Sequence, residues 1–255
     1  MTRPSALLAM LEPVRAMGEL GALALASPWL GLAPRGDGHP VLVLPGFVAS
    51  DVSTWLLRAY LRSLGYDAHA WELGRNLGWK TTGRELQHLL ERIRTLHSHH
   101  SQRVSLIGWS LGGVMARQVS RRMPEEVRQV ITLGSPFTGD PAASTIAGLY
   151  ERVTGNRLDG AFIRALLREG NIPPPVPATA IYSETDGIVS WRNCVEADGP
   201  TSENIVVRGS HVGLAINPAV MFAIADRLAL ADGQWRRFAR DGWRQAVYPP
   251  ARLRE

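Results

Sequence analysis

The sequence predicts an α/β fold, with a mostly parallel central sheet carrying helices on both faces and a small helical insertion late in the chain. Three observations lead there. From about residue 39 onward, short apolar runs alternate with stretches whose apolar residues recur at helical spacing. Most of those runs are apolar throughout rather than at every second residue, as expected of parallel strands buried on both faces. The chain has 255 residues, 45% of them hydrophobic, which is enough for one large core.

The elements follow in order. Residues 34–40 (PRGDGHP) form a turn-rich linker into VLVLPGF, a strand closed by Pro45-Gly46. VSTWLLRAYLRSLG has helical spacing and a glycine stop, and DAHAWEL reads as a strand. Residues 81–98 give the clearest helix, with Thr81 or Thr82 as cap and Leu86, Leu89, Leu90, Ile93 and Leu96 as its apolar stripe. RVSLIGW is a strand, LGGVMARQVSRRM a helix and VRQVITLGSPF a strand. The next forty or so residues, roughly 137–176, break the rhythm with two helix-like stretches and a proline-rich end. An insertion of this kind lies on the surface and often covers a site. ATAIYSETD and NIVVRGSH restore strands, and AVMFAIADRLALA supplies a last helix. The expected organisation is an N-terminal helical segment over 1–38, a main domain over 39–232 and a basic tail over 233–255.

Composition excludes several classes. The net charge is +5, but Lys80 is the only lysine, and no run of arginines interleaves with aromatics as a nucleic-acid groove requires. No nucleic-acid partner is expected. Cys194 stands alone, so no intrachain disulfide forms, and it reads as a small buried hydrophobe. The apolar N-terminus is interrupted by Glu12, Pro13, Arg15 and Glu19, which a secretory signal would not tolerate. It reads as an amphipathic helix or helix pair packed on the domain, with attachment to a membrane surface as the competing reading. A cytoplasmic, optionally membrane-associated protein is expected.

Gly108-Trp109-Ser110-Leu111-Gly112 fits G-x-S-x-G, between a predicted strand and a predicted helix. In that turn the serine takes a strained backbone conformation, and the flanking positions must lack side chains. A bland alternative is a tight turn whose serine caps the helix. Serine needs a base, and the base an orienting carboxylate, in the chain order serine, acid, histidine. Of the seven histidines only His211 follows Ser110. Asp140, Asp159, Asp186 and Asp198 lie between them; Asp186 comes directly after a strand, where sites form in such sheets, with Asp198 in reserve. The backbone N–H groups of Leu111 and of Phe47, after Gly46, are the expected oxyanion donors.

In these pieces (VLVLPGF, LIGWSLGG, LGSPFTGD, IYSETDGIVSW and GSHVGLAINP, spanning about 39–230) the chain resembles the α/β-hydrolase superfamily, specifically its bacterial serine esterases and lipases. The resemblance implies Ser110 as nucleophile, His211 as base, Asp186 as acid, Phe47 and Leu111 as oxyanion donors, and the insertion as a lid. It implies hydrolysis of a carboxylic ester, small-molecule or lipid, through an acyl-enzyme and without a cofactor. An acyltransferase with the same triad, or a non-catalytic binding protein of the same fold, is the alternative. Pro45-Gly46 stands where many members have His-Gly, and the segment before residue 39 has no counterpart.

Further residues are candidates for the substrate pocket: Trp109, Asn76 and Trp79 near the strand ends, and Phe137 at the start of the insertion. Phe162, Ile163, Leu166 and Leu167 face either an acyl pocket or the domain. The run His97-Ser98-His99-His100 lacks carboxylate or cysteine company in sequence and reads as a solvated helix end, so no metal is expected.

Overall fold

In the computed structural model, which describes residues 3–155 and 157–251, six strands form one parallel sheet. They are β1 (Pro40–Leu44), β2 (Asp67–Ala70), β3 (Val104–Trp109), β4 (Val127–Leu133), β5 (Ala178–Ser183) and β6 (Ser202–Val207). Their order is β2-β1-β3-β4-β5-β6. The chain therefore builds outward from β1 in one direction and then reverses, which opens a crevice beyond the carboxyl ends of the central strands. Register aligns those ends: Leu44 pairs with Gly108, Trp109 with Leu133 and Ser183 with Val207. The loops after β1, β3, β5 and β6 consequently emerge along one edge.

The strands read as continuous apolar runs because both faces are covered. Val41, Val43, Ile107, Ile131 and Ile205 point to one side, packed by α2 (Trp55–Ser63) and α8 (Pro218–Leu228) through Leu57, Leu61, Met221 and Ile224. Leu42, Leu44, Leu106 and Val130 point to the other, packed by α4 (Gln87–His100) and α5 (Leu111–Arg122) through Leu89, Ile93, Met115 and Val119. Alternate residues of a strand face opposite sides, so a run such as VLVL feeds both cores. Truncating a fully buried member such as Ile93 to alanine costs about 2–5 kcal/mol.

One helix begins later than its sequence suggests. Thr81 and Thr82 belong to a separate single turn, α3 (Trp79–Thr82), which ends at Gly83 with φ +77°. The next helix, α4, starts only after Leu86, itself left-handed at φ +59°. Leu86 still fills the core, because it is fully buried from outside the helix. The insertion contributes α6 (Ala147–Thr154) and α7 (Ala161–Gly170). The tail docks on α8 through α9 (Arg244–Val247) and the buried Tyr248, whose hydroxyl donates to Ala219 O at 2.8 Å.

The N-terminal segment is a single helix, α1 (Ala6–Leu30), capped by Ser5 and containing Pro13 and Pro28. Its C-terminal half packs conventionally, with Leu23, Ala26 and Leu30 on the core. Its first turns are inverted relative to an ordinary surface helix. Glu12 is buried and Arg15 and Glu19 are half-buried, whereas Leu7, Met10, Val14 and Met17 are 65–77% exposed. No described helix is long and apolar enough to cross a membrane.

Candidate active site

Ser110 stands between β3 and α5 with φ +53° and ψ −121°, a conformation that L-residues adopt only where their surroundings enforce it. The glycines around it leave no room for side chains. A Cβ on Gly108 would lie 2.3 Å from Gly113 Cα, and one on Gly112 would lie 2.6 Å from the Leu44 and Pro45 carbonyl oxygens. Packing of α5 onto the ends of β1 and β3 is thus backbone against backbone, and it pushes the serine out at the strand edge. The side chain is 5% exposed.

Two loops bring an imidazole and a carboxylate to the same edge. The loop after β6 carries His211, and the loop after β5 carries Asp186; His211 Nδ1 and Asp186 Oδ2 are 2.6 Å apart. The other carboxylate oxygen accepts from the N–H groups of Ile188 at 2.8 Å and Val189 at 2.7 Å. Asp186 is therefore fixed from behind and presents one free oxygen to the ring. Burial opposes charging of His211, yet the Asp186 carboxylate and its hydrogen bond, with Glu12 further off, outweigh that and hold the ring above its ordinary pKa. Gly134, with φ +53°, lets the pair pass: a Cβ there would lie 3.1 Å from His211 Nδ1 and 3.2 Å from Asp186 Oδ2.

Trp109 ties the histidine loop to the serine turn, since its indole N–H donates to His211 O at 3.1 Å. Among the described residues no hydrogen bond joins the Ser110 hydroxyl to the His211 ring. Such contacts in ligand-free sites often tighten only when substrate arrives.

The N–H groups of Phe47 and Leu111 donate to no other group among the described residues. Leu111 is the first residue of its helix, where the N–H has no intrahelical partner and the dipole is positive. The Phe47 loop is held by Asn76: its side-chain amide N–H donates to Pro45 O at 2.8 Å and its backbone carbonyl accepts from Val48 N at 2.8 Å. A Cβ at Gly46 would come within 3.3 Å of Ser110 Cβ.

A cavity of about 90 Å³ opens beside Ser110, lined by apolar residues that include Phe47, Leu111, Val114, Tyr150, Leu167 and Val189. Tyr150 of α6 tilts against the Phe47 ring at 5.3 Å, so the insertion roofs the cavity. The remaining pocket candidates lie elsewhere. Asn76 is fully buried and acts as the loop brace, and Trp79 packs in the core beside α4. Phe137 is buried against Val114 and Ala180 with the Arg117 guanidinium 3.8 Å above its ring. Trp109 is a bridge between loops rather than a lining residue. The side chains of Phe162, Ile163 and Leu166 lie outside the described ones. Tyr150 and Val189 have no spacing that singles them out in sequence; the fold brings one from α6 and the other from the loop after β5 to the cavity.

His100 does acquire company in three dimensions. Its Nε2 lies 3.3 Å from Asp67 Oδ2, and His69 Nε2 lies 3.1 Å from the same oxygen. This trio sits on edge strand β2 and the end of α4. It includes none of the cavity's lining residues.

Comparisons with known proteins agree on architecture. The PGAP1-like alpha/beta domain family matches residues 80–161, which include Ser110 but neither Asp186 nor His211. Aspergillus fumigatus lipase B superposes with a TM-score of 0.61 at 20% identity, covering 78% of this chain and 54% of the lipase. The chain thus spans about half the length of that lipase. Bacillus licheniformis lipase BlEst2 gives 0.52 at 19% identity, over 77% of this chain and 94% of that one. The pyrethroid hydrolase PytH gives 0.54 at 19%, over 77% and 99%. No curated protein matches by sequence. The six-stranded parallel sheet, its covering helices and these structural likenesses together make the chain an α/β-hydrolase in fold.

Proposed function

We propose that the protein is a serine hydrolase of carboxylic esters with an apolar acyl group. The observation that carries this reading is a strained, elbow-mounted Ser110 at the same sheet edge as the buried Asp186–His211 pair, whose Oδ2 and Nδ1 are 2.6 Å apart. Ser110 Oγ attacks the acyl carbonyl while His211 Nε2 takes its proton, and Asp186 holds the ring's other nitrogen and balances the imidazolium. The Phe47 and Leu111 N–H groups receive the oxyanion. His211 then protonates the leaving alcohol, and water repeats the sequence on the acyl-enzyme. The apolar cavity beside the serine supports an acyl rather than a charged substituent. No cofactor enters any of these steps.

The test is hydrolysis of p-nitrophenyl esters of increasing chain length by the purified chain and by Ser110→Ala. Turnover lost with the hydroxyl supports the reading; turnover undiminished in Ser110→Ala overturns it. The same residues would serve an acyltransferase, and product analysis with a competing alcohol separates the two. A hydrolase-fold binding protein would neither turn over nor take a fluorophosphonate label.

The exposed face of α1 favours contact with a lipid surface. Glu12, Arg15 and Glu19 are its only charged residues and all turn inward, leaving Leu7, Met10, Val14, Met17, Leu25 and Trp29 outward on a chain of net charge +5. Anionic phospholipid vesicles should sediment the chain, and Met10→Glu/Met17→Glu should remain in the supernatant. Equal sedimentation of both, or concentration-dependent dimerisation without vesicle binding, contradicts a lipid surface.

A further inference from the structure

The inward charges of α1 meet the two loops that carry Asp186 and His211. Glu12 Oε1 accepts from Gly187 N at 2.8 Å and His211 N at 3.0 Å, and its Oε2 accepts from Val212 N at 2.9 Å. One carboxylate, 2% exposed, therefore holds the backbone next to the acid and that of the histidine itself. Arg15, one turn on, donates to Thr185 O at 2.8 Å and to Gly209 O at 2.6 Å. Glu19, one turn further, accepts from Ser210 N at 2.6 Å and Ser210 Oγ at 2.8 Å.

Glycines in the loops admit the helix. A Cβ on Gly187 would lie 2.6 Å from the Leu8 carbonyl, and one on Gly209 would lie 2.8 Å from Glu19 Oε1. At Gly213 a Cβ would overlap the Glu19 carboxylate. The closeness of α1 is thus built into both partners.

We infer that Glu12 is a positioning residue for the hydrolytic site, clamping the acid loop to the histidine loop from a helix outside the sheet. The inference rests on the reading of Ser110, His211 and Asp186 given above. A buried carboxylate holding three N–H groups sets where the imidazole sits, and its charge adds to that of Asp186 in favouring the protonated ring. The charged groups around His211 are Asp186 from its own loop cluster and Glu12, Arg15 and Glu19 from α1; Trp109 on β3 is neutral.

The test compares wild type with Glu12→Gln, which keeps shape but removes the charge and turns an N–H₂ toward backbone donors. The expected result is a fall in kcat of about tenfold with KM changed less than twofold. The acid limb of kcat/KM should also move to lower pH, because the ring loses a group that favours its proton. The His211 Nδ1–H resonance, followed by proton NMR, should titrate at correspondingly lower pH, and this readout does not depend on turnover. Leu23→Ala, which thins the packing of α1 on the core and removes no hydrogen bond to either loop, should lower the melting temperature and leave the pH profile in place.

An unshifted resonance in folded Glu12→Gln overturns the inference, whatever Ser110→Ala does. A shifted resonance in a protein without esterase activity would leave the clamp standing and remove the hydrolase reading instead. Should Glu12→Gln fail to fold, Gly187→Ala displaces α1 at Leu8 without altering charge. It should reproduce the kcat loss and the downward shift of the acid limb, and an unchanged profile would overturn the clamp.

Discussion

Strand β3 carries a serine near each end, and each lies close to a histidine paired with an aspartate. At the amino end, His39 sits between Asp37 and Ser105, with its Nδ1 on the Asp37 carboxylate and its Nε2 2.8 Å from Ser105 Oγ. At the carboxyl end, His211 sits beside Asp186 and next to the turn of Ser110. By hydrogen bonds alone the first trio is the more complete. Everything else favours the second. Ser105 is fully buried within β3 and lines none of the cavity beside Ser110. Ser110 is at a strained turn, beside two unused N–H groups and a cavity.

Electrostatics divide the same way. Burial dominates at His39 and pulls its pKa below the ordinary value despite Asp37, whose own carboxyl is held far down by the His39 hydrogen bond and Arg128 after burial is overcome. At His211 burial is outweighed by Asp186 and Glu12. The lesson is that a serine–histidine–aspartate chain is a common way to satisfy buried polar groups. What distinguishes a reactive one is a hydroxyl set beside a cavity at a strand end, with donors left unpaired around it.

Substitutions should separate the two trios sharply. Ser110→Ala and His211→Ala should each lower kcat by about a million-fold, and the double variant should be little worse, because the two act as a unit. Asp186→Asn should cost about 10⁴ in kcat while the fold persists, since it keeps the shape but upsets the ring's orientation and charge. The pH profile sharpens the contrast further. His211 must be neutral to act as base, so kcat/KM should fall as the pH drops through its pKa, with a midpoint above the ordinary value of about 6.5. The smallest kinetic effect belongs to the other trio. His39→Ala should destabilise the fold by about 1–3 kcal/mol, read by thermal unfolding, and leave kcat within twofold. A large kcat loss there would mean that the amino-terminal trio matters to the chemistry.

Much of this was legible in the sequence, for identifiable reasons. The alternation of apolar runs with helical stretches gave the parallel sheet, since burial on both faces leaves no polar residues to interrupt a strand. Gly108, Gly112 and the single histidine after Ser110 pointed to the serine turn and the imidazole, because those positions depend on residue type. Asp186 was readable from its place after a strand. Glu12 was not, because it acts on backbone N–H groups, which carry no residue signature, from 175 to 200 positions away. Its inward turn also defeats the usual rule that a surface helix buries its apolar stripe. Asn76, Trp79 and Phe137 show the converse, because a place near a strand end does not say what a side chain packs against. Proximity to strand ends suggested a pocket, whereas packing against the Phe47 loop, α4 and Arg117 took up their side chains.

The most direct measurement is the site of covalent attachment after treatment with a fluorophosphonate, mapped by peptide mass spectrometry. The account predicts one adduct, on Ser110, formed more slowly as the pH falls and absent in His211→Ala. No adduct, or one on a serine other than Ser110, would contradict it.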